Sequence, residues 1–174
     1  MVISPFGRIF AAATFGVFAL LAGNFAVAAS LAQPAEKAVL TISGKITDTN
    51  QEGKAVFDRA MLEGLGMTSF VTSTPWYKEP VKFEGVALDR LMSAVGASGD
   101  RLIIIALNDY SAELPLADTS KYKVMLALKR DGEYLSVRDK GPLFVVYDFD
   151  SDPDLRNQKF YARSVWQIAR IEVK

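Results

Sequence analysis

The chain contains no cysteine and no histidine, and its 20 lysines and arginines are matched by 20 aspartates and glutamates. Each absence removes a class of function. Without a thiol or an imidazole there is no Cys/His zinc site, no Ser-His-Asp triad, no cysteine nucleophile and no thiolate-held metal. Without an excess of positive charge there is no overall electrostatic footprint for a nucleic-acid backbone. Chemistry is confined to carboxylates, lysine, tyrosine, serine, threonine or a bound organic cofactor. The missing cysteines also fit an exported bacterial protein whose fold needs no disulfide. What is present is core material: 50% of the 174 residues are apolar and 11% aromatic. That is far from a disordered composition and sufficient for one domain.

Arg8 is the only charged residue before Ala29, and Ile9 to Leu21 is apolar apart from Thr14 and Gly16. Ala26 and Ala28 then give the small-x-small pattern that a signal peptidase reads. These features predict a signal peptide over residues 1–28, cleaved after Ala28, and a periplasmic protein. The competing reading is an uncleaved anchor over Ile9 to Ala29, long enough for a hydrocarbon core of about 30 Å. Both leave the folded part in the periplasm.

Residues 29–38 are small, polar and proline-containing, a flexible lead-in, and the domain is expected over residues 39–174. Val39 to Ile46 reads as a strand. Ala55 to Leu65 has its apolar residues at helical spacing, with Gly64 and Gly66 at its end. Met67 to Thr74 is strand-like, and Phe83 to Val86 leads into a short helix over Leu88 to Val95. Arg101 to Ala106 is a continuous aliphatic strand, expected to be buried on both faces. Lys123 to Lys129 and Tyr134 to Val137 flank a turn at Arg130 to Glu133, a hairpin pattern. Leu143 to Tyr147 is another strand, Asp148 to Asn157 an acidic loop with room for one helical turn, and Arg163 to Val173 a closing strand. Many short strands, adjacent in sequence, with a few short helices predict an α+β, β-rich domain rather than a doubly wound one.

Three polar and aromatic clusters stand at strand ends. In Thr72-Ser73-Thr74-Pro75-Trp76-Tyr77, hydroxyls and two aromatics offer stacking faces and ring-edge partners; the same residues also suit a strand end capped by a core Trp. Asn108-Asp109-Tyr110-Ser111-Ala112-Glu113 follows the most apolar strand, where a carboxylate can take the amino edge of a heterocycle in a fork; these residues also suit a plain turn. Arg163-Ser164-Val165-Trp166-Gln167 follows Tyr161, and strand alternation would put Arg163 and Trp166 on opposite faces. The acids from Asp148 to Asp154 are no calcium loop, because Pro153 occupies the position of the sharp-turning Gly and no Glu follows at the twelfth.

The order of motifs carries a resemblance. Phe83-Glu84-Gly85-Val86-Ala87-Leu88, Leu91-Met92, Leu107 to Leu116, Leu126-Ala127-Leu128 and Lys140-Gly141-Pro142-Leu143 together resemble the molybdopterin-binding domain of the sulfite oxidase type, over about Val39 to Val173. The resemblance implies that family's β-rich α+β fold, with the pterin lying along loops between strands. The family's molybdenum-binding cysteine would fall near Ser73 or Thr74, and its absence removes soft thiolate ligation. With Thr72-x-Thr74-Pro75-Trp76 and Arg163-x-Val165-Trp166-Gln167, the chain is similar to a short, cysteine-less branch of periplasmic pterin-binding regulators. These bind a free reduced pterin, without metal, and act on the periplasmic part of a membrane-bound enzyme of cyclic-di-GMP metabolism. The implied ligand-binding set is Thr72, Thr74, Trp76, Asn108, Asp109, Tyr110, Glu113 and Arg163. In it the pterin lies against Trp76, Glu113 or Asp109 takes the amino edge, and no residue is catalytic. The alternatives are a molybdopterin-dependent oxidoreductase degenerate in its metal ligand and a periplasmic adaptor without a small ligand.

Overall fold

Strand pairing, rather than strand order, decides the architecture. The computed structural model describes Met1 and residues 31–174. Apart from Met1, the expected signal peptide lies outside the described residues, among which no helix is long and apolar enough to cross a membrane. In chain order the elements are β1 (Leu40–Gly44), β2 (Ala55–Phe57), α1 (Arg59–Gly64), β3 (Met67–Thr72), β4 (Val81–Ala87), α2 (Leu88–Ala94), β5 (Arg101–Ala106), β6 (Ser111–Pro115), α3 (Leu116–Lys121), β7 (Val124–Arg130), β8 (Glu133–Tyr134), β9 (Phe144–Tyr147), α4 (Gln158–Arg163) and β10 (Ile168–Val173). One sheet runs β2-β1-β10-β5-β6, and the other runs β3-β4-β7-β8 with β9 also paired to β7. Among the described residues only β1 and β10 pair in parallel, with Ile42 opposite Ile171. Because the first and last of these strands sit side by side, the first sheet is completed only by the last strand.

Both sheets contribute to one apolar core, which includes Leu40, Ile42, Leu102, Ile104 and Ile171 from the first and Phe83, Val86, Leu126, Phe144 and Val146 from the second. The second sheet is tied to the segment that leads into β10 where Phe144 bridges to Trp166 and where the Val145 N–H donates to the Val165 carbonyl at 2.9 Å. Gly85 shows why a motif glycine stands in β4. The β4–β7 register slips between Glu84 and Gly85, and a Cβ on Gly85 would meet the Leu126 carbonyl oxygen and come within 2.7 Å of Ala127 Cα. At Asp131 and Gly132, φ is 50° and 89°, the double left-handed conformation that closes a tight hairpin with the strands' own twist.

Several expectations need correction. The helix expected from Ala55 starts at Arg59, because Ala55–Phe57 pairs with β1 and Asp58 caps the helix, its side chain accepting from the Met61 N–H at 2.8 Å. The same Asp58 accepts from the Ala35 and Glu36 N–H groups, which ties the lead-in to the domain. Strand β5 is not buried on both faces: Leu102, Ile104 and Ala106 are buried while Ile103 and Ile105 are only half-buried. The closing strand begins at Ile168 rather than Arg163, since Asn157 caps a helix over Gln158–Arg163. The polar run after β5 divides into a short turn and β6, which places Glu113 within a strand opposite Ile103.

Candidate ligand-binding cleft

The three clusters recognised in the sequence contribute to one cleft of about 560 Å³. Pro75 and Trp76 come from the segment after β3, and Asn108 and Tyr110 from the β5–β6 turn. Tyr161 comes from α4, and Ser164 to Gln167 from the link between α4 and β10. The turn is set by the Ala106 N–H donating to the Tyr110 carbonyl at 2.8 Å, by Asp109 at φ 62° and by Asn108 Oδ1 accepting from the Tyr110 N–H at 3.2 Å. An Asn followed by an Asp accepts this backbone readily, because short polar side chains tolerate the left-handed region. The Leu107 N–H then donates to the Gln167 carbonyl at 2.8 Å, which joins the turn to the opposite wall.

Gln167 is the strained residue of that wall, with φ of 54°. Three bonds hold it: its N–H donates to the Lys140 carbonyl at 3.1 Å, its carbonyl accepts from Leu107, and its Nε2 donates to the Val137 carbonyl at 2.6 Å. A left-handed non-glycine residue costs of order 1–3 kcal/mol and persists where surrounding contacts over-determine it, commonly at binding sites.

Aromatic rings line the interior. Trp76 meets Phe144 at 5.4 Å, Trp166 at 5.7 Å, Tyr161 at 6.0 Å and Phe149 at 6.1 Å between centroids, all edge-to-face. Such pairs add about 0.5–1.5 kcal/mol each beyond area burial and fix ring orientation. Trp166 remains 38% and Tyr110 54% exposed. Among the described residues no charged side chain lines the cleft; the polar groups are amides and hydroxyls of Asn108, Tyr110, Gln158, Tyr161, Ser164 and Gln167. Ring faces with amide edges suit a flat, neutral heterocycle whose rim offers both donors and acceptors.

Of the eight expected ligand-binding residues, Trp76, Asn108 and Tyr110 line this cleft. The other five stand elsewhere for identifiable reasons. Thr72 is fully buried, its Oγ1 accepting from the Asp150 N–H at 3.1 Å. Thr74 supports Trp76 from behind, its Oγ1 accepting from the Trp76 N–H at 3.3 Å. Asp109 is exposed and paired with Arg170 at 2.8 Å. Glu113 lies three residues beyond Tyr110, about 10 Å along β6, exposed and 3.7 Å from Arg101. Arg163 turns away to Asp118 at 2.6 Å, where Asp118 also accepts from the buried Tyr147 hydroxyl at 2.8 Å. Burial, with the bond to Asp118, pushes the Tyr147 hydroxyl's pKa well above the ordinary tyrosine value. A carboxylate fork from Glu113 or Asp109 is therefore not part of the cleft.

Sequence reasoning left out Gln158 and Ala162, and strand alternation put Trp166 on the face opposite Arg163. The available signal was Asn157, a helix cap whose side chain accepts from the Lys159 N–H; a helix there ends the strand alternation that separated Arg163 from Trp166. Of the two positions near which the resemblance puts a molybdenum-binding cysteine, Ser73 has both its N–H, at 2.8 Å, and its Oγ, at 3.0 Å, bound to Asp150, and Thr74 Oγ1 accepts from the Trp76 N–H. A hydroxyl engaged in this way is not a soft metal ligand, and these residues do not fit thiolate-held molybdenum.

No family model matches the chain, and no curated protein matches it. Among solved structures it is similar to the crystal structure of the sulfane dehydrogenase SoxCD from Paracoccus pantotrophus, with a TM-score of 0.55 and 17% identity. The match covers 77% of this chain and 37% of that one, so the likeness takes in little more than a third of the larger protein. At this identity the likeness is one of fold, and the β-rich α+β architecture expected from the sequence stands.

Proposed function

We propose that the chain binds a reduced pterin in the Trp76–Trp166 cleft and acts as a periplasmic regulator of a membrane-bound enzyme of cyclic-di-GMP metabolism. The observation that carries the binding reading is the convergence of Trp76, Tyr110, Tyr161 and Trp166 on one uncharged cleft from three separate parts of the chain. A pterin ring is flat and carries donors and acceptors around its edge, which stacking faces beside Asn108, Gln158 and Gln167 can satisfy. The regulatory part rests on the Thr72–Trp76 and Arg163–Gln167 motifs, similar to those of periplasmic pterin-binding regulators. Such control requires that the ligand favour one state of the complex over another.

Calorimetric titration with a tetrahydropterin tests the binding. Loss of one stacking ring by Trp166→Ala is expected to weaken binding by about 2 kcal/mol, roughly thirtyfold, whereas Glu113→Gln, outside the cleft, leaves it unchanged. Equal affinity in wild type and Trp166→Ala overturns the site. For regulation, pterin must change cyclic-di-GMP turnover in membranes only when this chain is present. Stoichiometric molybdenum in protein isolated from its native compartment would favour the oxidoreductase instead.

A further inference from the structure

Lys140 sits at the rim of the cleft. Its Nζ lies 4.7 Å from the centre of the Tyr77 ring and 5.6 Å from that of Trp166, a cleft-lining residue. Its backbone is pinned to the cleft wall through the Gln167 N–H, and the residue is half-buried. The neighbouring carboxylate, Asp139, is already engaged: Arg130 pairs with it at 2.5 Å and the Tyr77 hydroxyl donates to it at 3.1 Å. Lys140 has no carboxylate within ion-pair distance among the described residues.

We infer that Lys140 is an anion receptor at the cleft rim, so that the bound ligand is a flat ring bearing a carboxylate or phosphate substituent. The inference rests on the proposed cleft and names the class of ligand within it. The uncharged interior takes the ring, and the ammonium beside Trp166 takes the charged substituent. An ammonium held against two ring faces loses part of its hydration, and an incoming anion gives a charge-assisted hydrogen bond.

The test is calorimetry on the purified protein, under anaerobic conditions, with the reduced 7,8-dihydro forms of 6-hydroxymethylpterin, pterin-6-carboxylate and 6-hydroxymethylpterin phosphate. Quinoxaline and quinoxaline-2-carboxylate serve as a second, non-pterin pair. The anionic member of each set is expected to bind about tenfold more tightly, as for a hydrogen bond to a charged group. The preference persists in Lys140→Arg and disappears in Lys140→Met, and the order of carboxylate and phosphate identifies the substituent. Equal binding of neutral and anionic members by the wild type, or a preference that survives Lys140→Met, overturns the inference. If the pterins fail but the quinoxaline pair shows the Lys140-dependent preference, the pterin reading falls and the anion receptor stands. If no probe binds, both fall.

Discussion

Replacing Arg163 by Met tests whether this residue serves the ligand or the fold. Asp118 and Arg163 have side chains only 11% and 17% exposed, and Asp118 accepts from both Arg163 and Tyr147. Removing one partner of a buried pair costs about 3–5 kcal/mol, because the remaining charge stays desolvated. Here the Tyr147 hydroxyl still serves Asp118 and some water reaches it, which reduces the expected loss to about 2–3 kcal/mol. For a domain of this size that lowers Tm by about 6–10 °C. Tyr147→Phe, which removes one neutral donor to the same carboxylate, costs about 1 kcal/mol. Urea denaturation of Arg163→Met, of Asp118→Asn and of the double variant closes a thermodynamic cycle. The double variant should recover to within about 1 kcal/mol of wild type, since an uncharged amide in place of the Asp118 carboxylate no longer needs a cation yet still accepts from Tyr147. A loss below about 0.5 kcal/mol in Arg163→Met, within the ordinary range of surface substitutions, or no recovery in the double variant, would refute the structural role.

Two further predictions rest on backbone geometry and on pH. Gly85→Ala forces a Cβ against the β7 backbone, which cannot move aside as a side chain could, so a loss of about 3 kcal/mol is expected. Gly132→Ala, with open space around it and φ of 89°, costs about 1 kcal/mol, and equal urea midpoints for the two variants would contradict the argument. The Met61 N–H bond to Asp58 and the Ser73 N–H bond to Asp150 are the leading causes that hold both carboxyls below the ordinary aspartate value of 3.8. A depressed folded-state pKa gives stability present above that value and lost as pH falls through the folded one. The urea midpoint should therefore decline as pH falls below about 4, less steeply in the Asp58→Asn, Asp150→Asn double variant; parallel declines would exclude these two groups as the cause.

The placements of the expected site residues show how far local pattern reaches. Trp76, Asn108 and Tyr110 were legible because aromatic and amide residues next to strand ends stand out against apolar runs. Glu113 misled because the run after Ala106 holds both the turn and the first residues of β6, and turn formers such as Ser111 do not announce a strand that pairing with β5 imposes. Arg163 misled because extending strand alternation backwards from β10 passed over Asn157, whose capping side chain starts α4.

Composition and local pattern were enough for the class of fold and for the functions excluded. Strand-length apolar runs, short helices and the lack of thiol and imidazole depend on composition and on neighbours within a few residues. Which strands pair, which rings meet and which charges are neutralised was decided only in three dimensions. The parallel join of β1 to β10, the bond from Leu107 to Gln167 and the Arg163–Asp118 tie link residues far apart in the chain. Such contacts form only when burial of the shared core offsets the entropy of closing long loops. The cleft is a product of that closure: its walls come from three stretches that no local rule connects, brought together because β10 lies between β1 and β5.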